Sequence, residues 1–176
     1  RRPRPRPARA GDRRGAGVVY RAFQPAVGRE VAIKVIPPEL ANEPDFIRRF
    51  QADAQSVARL EHPHIVPLYD YWREPNAAYL VMRLMKGGTL ANVLERRGLN
   101  SGQVVTMVDQ LGSALQMVHR AGLVHRDIRP ANILIDDEGN AYLSDFGIAL
   151  SGDLAPSGDS VASAHAAPYT SPELGQ

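Results

Sequence analysis

The sequence LVHRDIRPANIL at residues 123–134, followed by SDFG at residues 144–147, places three oxygen-donor side chains near one another in the chain. Asp127, Asn132 and Asp145 stand in or beside predicted loops next to short strands. Such carboxylate and amide oxygens can converge on a hard cation such as Mg²⁺. Because Mg²⁺ usually shares its coordination sphere with substrate phosphates, this set predicts a polyphosphate ligand. Lys34, in the VAIK of a predicted buried strand, supplies a matching positive charge.

The hydrophobic pattern outward from these loops predicts a two-lobed α+β protein. In the first half, two strand pairs flank an amphipathic helix, and a poorly defined first strand would complete a small antiparallel sheet. Beyond Gly87 and Gly88 the pattern becomes helical, and two short strands follow. The strands are expected at residues 18–23, 30–36, 65–72, 77–84, 133–135 and 141–143, the helices at 45–60 and about 104–118, and a mobile loop at 151–163.

Composition excludes several classes of protein. The longest uninterrupted apolar stretch, residues 77–82, is far shorter than the roughly 18 residues of a membrane span, and no signal peptide is evident. We therefore expect no membrane segment and a soluble, cytoplasmic protein. The absence of cysteine excludes disulfides, thiolate zinc sites, iron–sulfur clusters and a cysteine nucleophile.

Positive charge is concentrated at the start of the chain. Residues 1–14 are rich in Arg and Pro, which predicts a disordered tail or a misread start, whereas the remainder carries a net negative charge. A basic nucleic-acid-binding module would rest on this tail alone, and the tail has no aromatic residue to stack on a base, so no nucleic acid is expected. Among 21 basic residues, only Lys34 and Lys86 are lysine.

VAIK, HRDIRPAN and DFG, in this order and at these separations, resemble the Ser/Thr protein kinases, especially the eukaryotic-like bacterial ones. The resemblance covers about residues 15–173. It implies an N-lobe at residues 15–85 and a partial C-lobe at residues 86–176, incomplete at its C-terminal end. Three further stretches fit the same pattern, namely Val19 and Tyr20, the segment HPHIVPLYDY, and Ser171 to Glu173.

The resemblance also implies an ATP-dependent enzyme that uses Mg²⁺, which Mn²⁺ could replace, to phosphorylate protein Ser or Thr. Lys34 would contact the α and β phosphates, and Asp145 and Asn132 would hold the metal ions. Asp127 would orient the acceptor hydroxyl, while Arg129 would keep positive charge near the transferred group. The expected ATP-binding residues are Gly15, Gly17, Val19, Ala32, Lys34, Met82, Leu134 and the backbone from Arg83 to Met85. Plain core packing is the alternative explanation for the apolar members of that set.

Regulation by phosphorylation is a further implication. Arg126 resembles the arginine that pairs with a phosphorylated activation loop, with self-association as a route to autophosphorylation. His125 is expected to pack against Phe146 and not to act as a base. The candidate acceptors are Ser157, Ser160, Ser163 and Thr170, which are equally well explained as polar residues of a flexible loop.

Four positions depart from the family pattern. Asp12 and Arg14 stand where the phosphate loop has glycine, which hinders its amides from holding phosphate. Asp53 replaces the helix glutamate that pairs with Lys34 and is one methylene shorter, and Ala166 replaces a threonine. Because the chain ends at Gln176, the helix at 104–118 is expected to expose apolar surface and the chain to fold poorly. These departures leave a pseudokinase or non-catalytic fragment, acting as a scaffold or nucleotide-binding module, as the alternative.

Overall fold

A computed structural model describes residues 12–14 and 17–146 of the chain, and of residues 12–14 only the backbone. The first half forms an antiparallel sheet in the order β1-β2-β3-β5-β4. A short helix α1 and a longer helix α2 connect β3 to β4. The elements are β1 (Asp12–Arg14), β2 (Gly17–Gln24), β3 (Arg29–Ile36), α1 (Pro38–Ala41), α2 (Pro44–Ala58), β4 (Leu68–Glu74) and β5 (Ala77–Arg83).

Turn residues explain why these strands pair as hairpins. Pro25 begins a 3₁₀ turn after β2, and Gly28 ends it with a φ of 64°. The β4–β5 turn places Asn76 at a φ of 69°, a conformation that asparagine tolerates better than most residues. The strands predicted at residues 18–23, 30–36 and 77–84 are therefore confirmed, and every end agrees to within one residue.

Two sheet boundaries differ from the prediction. The strand expected from residue 65 begins at Leu68, because Pro67 has no N–H to donate to a ladder. Ile65 instead forms an isolated bridge with Leu143. The sheet also begins inside the segment 1–14, since β1 pairs with β2 between Asp12 and Val19.

The predicted amphipathic face of α2 is confirmed. Phe46, Phe50, Ala54 and Val57 are all buried and belong to the largest hydrophobic cluster. Residues of β3, β5 and the second half of the chain join the same cluster, with Leu143 fully buried in it. This shared core fixes α2 and the sheet relative to the later strands beside Asn132 and Asp145.

The second half of the described chain contains two helices and a small sheet in the order β6-β7-β8. Its elements are β6 (Gly88–Thr89), α3 (Leu90–Arg96), α4 (Ser101–Arg120), β7 (Ile133–Ile135) and β8 (Ala141–Leu143). Both helices begin with a capping box, Thr89 with Asn92 and Asn100 with Gln103. The predicted bounds of β7 and β8 are confirmed, whereas β6 and α3 were not predicted.

The apolar face predicted for α4 is only partly covered. Ala114 and Val118 are fully buried, but Val104 and Val108 are 41% and 59% exposed. The expected exposure of apolar surface on this helix is thus present in its N-terminal half. No helix in the described part of the chain is long and apolar enough to cross a membrane.

Candidate active site

The loop before β7 brings Asp127 and Asn132 together. A 3₁₀ turn, Pro130–Asn132, folds the chain back so that Asn132 Nδ2 donates to the main-chain oxygen of Asp127 at 2.9 Å and to its Oδ2 at 2.6 Å. Ser144 donates to the Asn132 carbonyl through both its amide, at 3.0 Å, and its Oγ, at 2.8 Å. Because Asn132 is only 2% exposed, these bonds fix its position and, through it, the Asp127 carboxylate.

Lys34 and Asp145 form a buried ion pair between the two halves of the chain. Lys34 Nζ lies 2.7 Å from Asp145 Oδ1, and the two side chains are 7% and 13% exposed. Lys34 is held in the middle of β3, opposite Val19 on β2 and Leu80 on β5. Asp145 follows β8 with a φ of 58°, a strained conformation for a residue other than glycine. Because Ser144, the neighbour of Asp145 in the chain, also bonds Asn132, the Lys34–Asp145 pair lies next to the Asp127–Asn132 pair.

The donor set fits Mg²⁺ bound with a polyphosphate. Two carboxylates and an amide oxygen are hard ligands, and a buried ammonium group stands beside them. Within residues 12–14 and 17–146 there is no cluster of three or more His, Cys, Asp or Glu that could form an all-protein metal cage. Such a sparse set suits a cation that keeps several waters and binds phosphate oxygens, which is the behaviour of Mg²⁺.

Three of the apolar residues predicted to surround adenine lie on adjoining strands of the large sheet, and Leu134 lies on β7 of the small sheet, where Met82 packs against its cluster. Ala32 and Leu134 are buried, Val19 and Met82 are half-buried, and Ala32 stands opposite Met82 in the β3–β5 ladder. The amide of Arg83 donates to the Pro67 carbonyl at 3.1 Å, so it is already bonded within the protein. The predicted backbone contacts of residues 83–85 with adenine would therefore use groups other than this amide.

Comparison with known proteins agrees with this geometry. The model of the protein kinase domain family matches residues 14–175. The chain belongs to the protein kinase family. Ser/Thr-protein kinase PknA of Mycobacterium tuberculosis is 45% identical over 148 residues, which cover 81% of this chain and 34% of PknA. PrkC of Bacillus subtilis is 43% identical over 136 residues, covering 77% of this chain and 21% of PrkC.

Solved structures show the same kinase fold. The crystal structure of the M. tuberculosis PknI kinase domain has a TM-score of 0.74 and 31% identity, covering 82% of this chain and 59% of that one. Rad53 in complex with AMP-PNP has a TM-score of 0.69 and 26% identity, covering 80% of this chain and 37% of that one. The chain thus spans about a third or less of the curated relatives, PknA and PrkC. Kinases of this family generally use ATP and Mg²⁺.

Lys34 does not pair directly with Asp53, its expected helix partner, in the described structure. Lys34 pairs with Asp145, and no ion pair joins it to Asp53 among the described residues. Asp53 Oδ2 is buried and has no hydrogen-bond partner there. Asp145 lies within hydrogen-bonding distance of Lys34 Nζ, and an aspartate on α2 is one methylene shorter than the glutamate of the family pattern.

His125 is structural, as predicted. Its ring lies 4.7 Å from that of Phe146, and the residue is 1% exposed. The Asp127 amide donates to Nδ1 at 3.3 Å, and Nε2 lies 2.8 Å from the Ser144 carbonyl, so the proton belongs on Nε2. Burial lowers the pKa of His125 despite the opposing effect of Ser144 and the nearby carboxylates. A neutral imidazole in this place holds the backbone on both sides of the site.

Two arginines flank Asp127. Arg129 Nε lies 3.6 Å from Asp127 Oδ1, which keeps positive charge beside the candidate catalytic carboxylate. Arg126 has a φ of 67°, and its side chain is exposed. Two strained residues, Arg126 and Asp145, therefore stand on either side of the site, which is where backbone strain commonly accumulates in enzymes.

The phosphate-loop prediction is only partly within the described chain. A Cβ on Gly17 would lie 2.4 Å from the Val35 carbonyl oxygen, so glycine is required there by close packing of β2 on β3. The other predicted residues Gly15, Ser157, Ser160, Ser163 and Thr170, together with Ala166, lie outside the described residues.

The turn between β7 and β8 contains a polar cluster that was not predicted from the sequence. Asp136 Oδ2 accepts from Tyr142 Oη and Asn140 Nδ2, both at 3.0 Å, and Oδ1 accepts from the Glu138 and Asn140 amides. Burial alone would raise the pKa of Asp136, but these hydrogen bonds outweigh it and hold the pKa below its ordinary value. Burial and this carboxylate raise the pKa of Tyr142. An aspartate at the start of a turn was the available signal.

Proposed function

We propose that this chain is the catalytic part of an ATP-dependent Ser/Thr protein kinase, which transfers the γ-phosphoryl group of Mg²⁺–ATP to a protein Ser or Thr hydroxyl. The observation that carries the proposal is the convergence of Lys34, Asp127, Asn132 and Asp145 from distant parts of the chain on one site. Because the reaction consumes ATP, we place this part of the protein in the cytoplasm. Family membership supports the reaction class, and the donor set supports the cofactor.

Each side chain has a role that follows from its contacts. Bound Mg²⁺–ATP supplies the phosphoryl group and the metal charge that stabilises the transfer. Lys34 would bind phosphate oxygens as a compact cation, and Asp145 and Asn132 would provide oxygens for the metal. Asp127, oriented by Asn132 Nδ2 at 2.6 Å, accepts a hydrogen bond from the acceptor hydroxyl and takes its proton. Arg129, 3.6 Å from that carboxylate, keeps positive charge close to the transferred group.

Substrate and regulation are part of the same proposal. The acceptor is a Ser or Thr in a protein, including a second copy of this chain when self-association leads to autophosphorylation. The exposed side chain of Arg126 is free to bind a phosphate group on an activation loop, for which Ser157, Ser160, Ser163 and Thr170 are the candidate acceptors.

A second candidate function is a nucleotide-binding pseudokinase or scaffold. The observation in its favour is that Lys34 pairs with Asp145, while Asp53 Oδ2 is buried without a partner in the described part of the chain. A lysine engaged in this way is less available to phosphate, and the shorter Asp53 is a poor competitor for it. This candidate keeps nucleotide binding but not phosphoryl transfer.

The test measures nucleotide binding and phosphoryl transfer separately. Asp127→Asn should lower incorporation of labelled phosphate into casein by about 100-fold or more while leaving Mg²⁺–ATP affinity within about threefold. Asp109→Asn, an exposed carboxylate of α4, is the matched control and should retain the activity. Binding of Mg²⁺–ATP without transfer by the unsubstituted chain would favour the pseudokinase, and equal activity of Asp127→Asn and Asp109→Asn would contradict the assigned role.

A further inference from the structure

Four residues at the candidate site form a closed ring of hydrogen bonds. The Asp127 amide donates to His125 Nδ1 at 3.3 Å, and His125 Nε2 lies 2.8 Å from the Ser144 carbonyl. Ser144 donates in turn to the Asn132 carbonyl, and Asn132 Nδ2 donates back to the main-chain oxygen and Oδ2 of Asp127. With the His125 proton on Nε2, each residue donates to the next in the same direction around the ring. Hydrogen bonds aligned in this way strengthen one another.

The three side chains that take part in this ring are almost completely buried. His125, Asn132 and Ser144 are 1%, 2% and 3% exposed. A buried acceptor that loses a donor has no water to replace it, so each bond of the ring matters more than a bond at the surface. The ring also joins two loops that are distant in the chain, because residues 125–132 precede β7 and Ser144 follows β8. A displacement in one loop is therefore transmitted to the other.

The Ser144 hydroxyl supplies the one bond of the ring that duplicates a backbone bond. The Asn132 carbonyl accepts from the Ser144 amide at 3.0 Å and from Ser144 Oγ at 2.8 Å. A carbonyl oxygen has two lone pairs, and both are used here. Any residue except proline could supply the amide, whereas the second bond needs a short side chain that ends in a donor. This second bond therefore depends on the identity of residue 144.

The ring determines which polar atoms of Asn132 and Asp127 remain available. Asn132 Nδ2 is committed to Asp127, so Asn132 Oδ1, which accepts no hydrogen bond from the described residues, is the end of the amide left for a cation. Asp127 Oδ2 accepts from Asn132, whereas Asp127 Oδ1 lies 3.6 Å from Arg129 Nε and accepts no hydrogen bond within the described part of the chain. One oxygen for a metal and one for an acceptor hydroxyl are thus set by the same contact.

We propose that Ser144 is a positioning residue for phosphoryl transfer. By holding the Asn132 carbonyl, its hydroxyl fixes the backbone from which the Asn132 amide reaches Asp127. It thereby sets the metal-binding oxygen of Asn132 and the acceptor-binding oxygen of Asp127 together. This inference rests on the proposed kinase function, because only that reaction gives the two oxygens their roles. The Ser144 hydroxyl acts through Asn132 and is not itself a catalytic group.

Metal binding and phosphoryl transfer are measured separately in Ser144→Ala. Binding of Mn²⁺ to the full chain in the presence of AMP-PNP, followed by electron paramagnetic resonance, should weaken by about tenfold, because a residue that orients a metal ligand is lost. The kcat for casein phosphorylation with Mg²⁺–ATP should also fall by about tenfold, while the KM for casein stays within about twofold. A loss of kcat without a change in KM is the result expected when the reacting groups are misplaced and protein substrate binding is intact.

Two further variants at this position test whether the hydrogen bond is responsible. Ser144→Thr keeps the hydroxyl and should bring both the Mn²⁺ affinity and kcat to within about threefold of the unsubstituted chain. Ser144→Cys keeps nearly the same shape with a weak donor, and it should give a loss between those of Ser144→Thr and Ser144→Ala. It also tests the bond without opening a space in the buried site.

Thr89→Ala is the matched control. It also removes a buried hydroxyl, one that bonds Asn92 at the start of α3. Thr89→Ala and Ser144→Ala should each lower the Tm by about 2–4 °C, because each loses one buried hydrogen bond. Only Ser144→Ala should change the Mn²⁺ affinity and kcat.

Two results would overturn the proposal. The first is a Mn²⁺ affinity in Ser144→Ala equal to that of the unsubstituted chain. The second is an equal loss of Mn²⁺ affinity in Ser144→Ala and Thr89→Ala, which would reduce the effect to stability. If the unsubstituted chain binds Mn²⁺ and AMP-PNP but transfers no phosphate, a loss of affinity confined to Ser144→Ala would support the positioning of Asn132 and contradict only the proposed function.

Discussion

Replacing Asp53 by alanine should stabilise the nucleotide-free chain. Asp53 lies in the interior of α2, half-buried, with Oδ2 buried and lacking a hydrogen-bond partner among the described residues. A polar group in this state has lost its bonds to water without replacing them. The family pattern suggests the opposite outcome, because there the acidic residue of this helix pairs with the lysine of β3, and its removal would break a salt bridge.

The magnitude follows from burial and helix propensity. An unsatisfied buried acceptor costs about 1–3 kcal/mol, and the lower end applies because Asp53 as a whole is only half-buried. Alanine also gains up to about 0.7 kcal/mol over aspartate from helix propensity. We therefore expect Asp53→Ala to raise the free energy of unfolding by about 1–2 kcal/mol. Each kcal/mol corresponds to about 2–4 °C in Tm for a chain of this size.

Thermal and urea unfolding of the metal-free, nucleotide-free chain provide the measurement. Asp53→Asn has a similar helix propensity but keeps an unsatisfied buried polar group, so it should change the stability by less than Asp53→Ala does. Gln55→Ala, exposed on the same helix, should change the stability by less than about 0.5 kcal/mol. A loss of about 1 kcal/mol or more in Asp53→Ala would refute the reasoning, because it would mean that Asp53 pairs with Lys34 in solution.

Three other substitutions test the packing around the site. Lys34→Met should lower the free energy of unfolding in urea by about 3–5 kcal/mol, because it leaves Asp145 buried and unpaired. The double variant Lys34→Met/Asp145→Asn should regain at least about 1 kcal/mol of this loss. Strictly additive losses of the two single variants would contradict the ion pair. Burial lowers the pKa of His125 below 6.5, so the unfolded chain binds the proton more readily. The free energy of unfolding should therefore fall as the pH drops below about 6.5, and it should fall less steeply in His125→Gln. Equal pH slopes in the two chains would contradict the lowered pKa of His125. Gly17→Ala should lower the free energy of unfolding by about 1–3 kcal/mol. Gly112→Ala in α4, where a Cβ meets nothing within 4 Å, should raise it by about 0.5–1 kcal/mol. Similar shifts in Tm for the two variants would exclude the close contact between Gly17 and β3.

Periodicity predicted the longer elements of the fold well. The spacing of Phe46, Phe50, Ala54 and Val57 fits one helix face and no strand, and all four residues are buried. Boundaries were weaker where proline changed the backbone, as at Pro67 before β4. The short helix α3 was not predicted because its seven residues offer only two buried positions, Leu90 and Val93, too few to establish a period.

The motifs predicted which residues meet at the site but not all of their pairings. Lys34 and Asp145 are 111 positions apart, and no local pattern states how far each side chain reaches. A family pattern assigned Asp53 to Lys34, and only the folded geometry shows that Asp145 is nearer. Similarly, the hydrogen bonds from Ser144 to the Asn132 carbonyl depend on the register of β7 and β8, which the sequence does not specify.

The two halves of the site differ in how firmly they are held. Asp127 and Asn132 are joined to each other and to Ser144 by short hydrogen bonds within one small sheet and its loops. Lys34 and Asp145, by contrast, connect the large sheet to that loop, and each is the other's main charge compensation in a buried setting. A buried pair of this kind places both groups next to where a cation and a phosphate would bind. Because removing either charge leaves the other buried and unpaired, we expect the pair to separate only when a cation and a phosphate replace both lost partners.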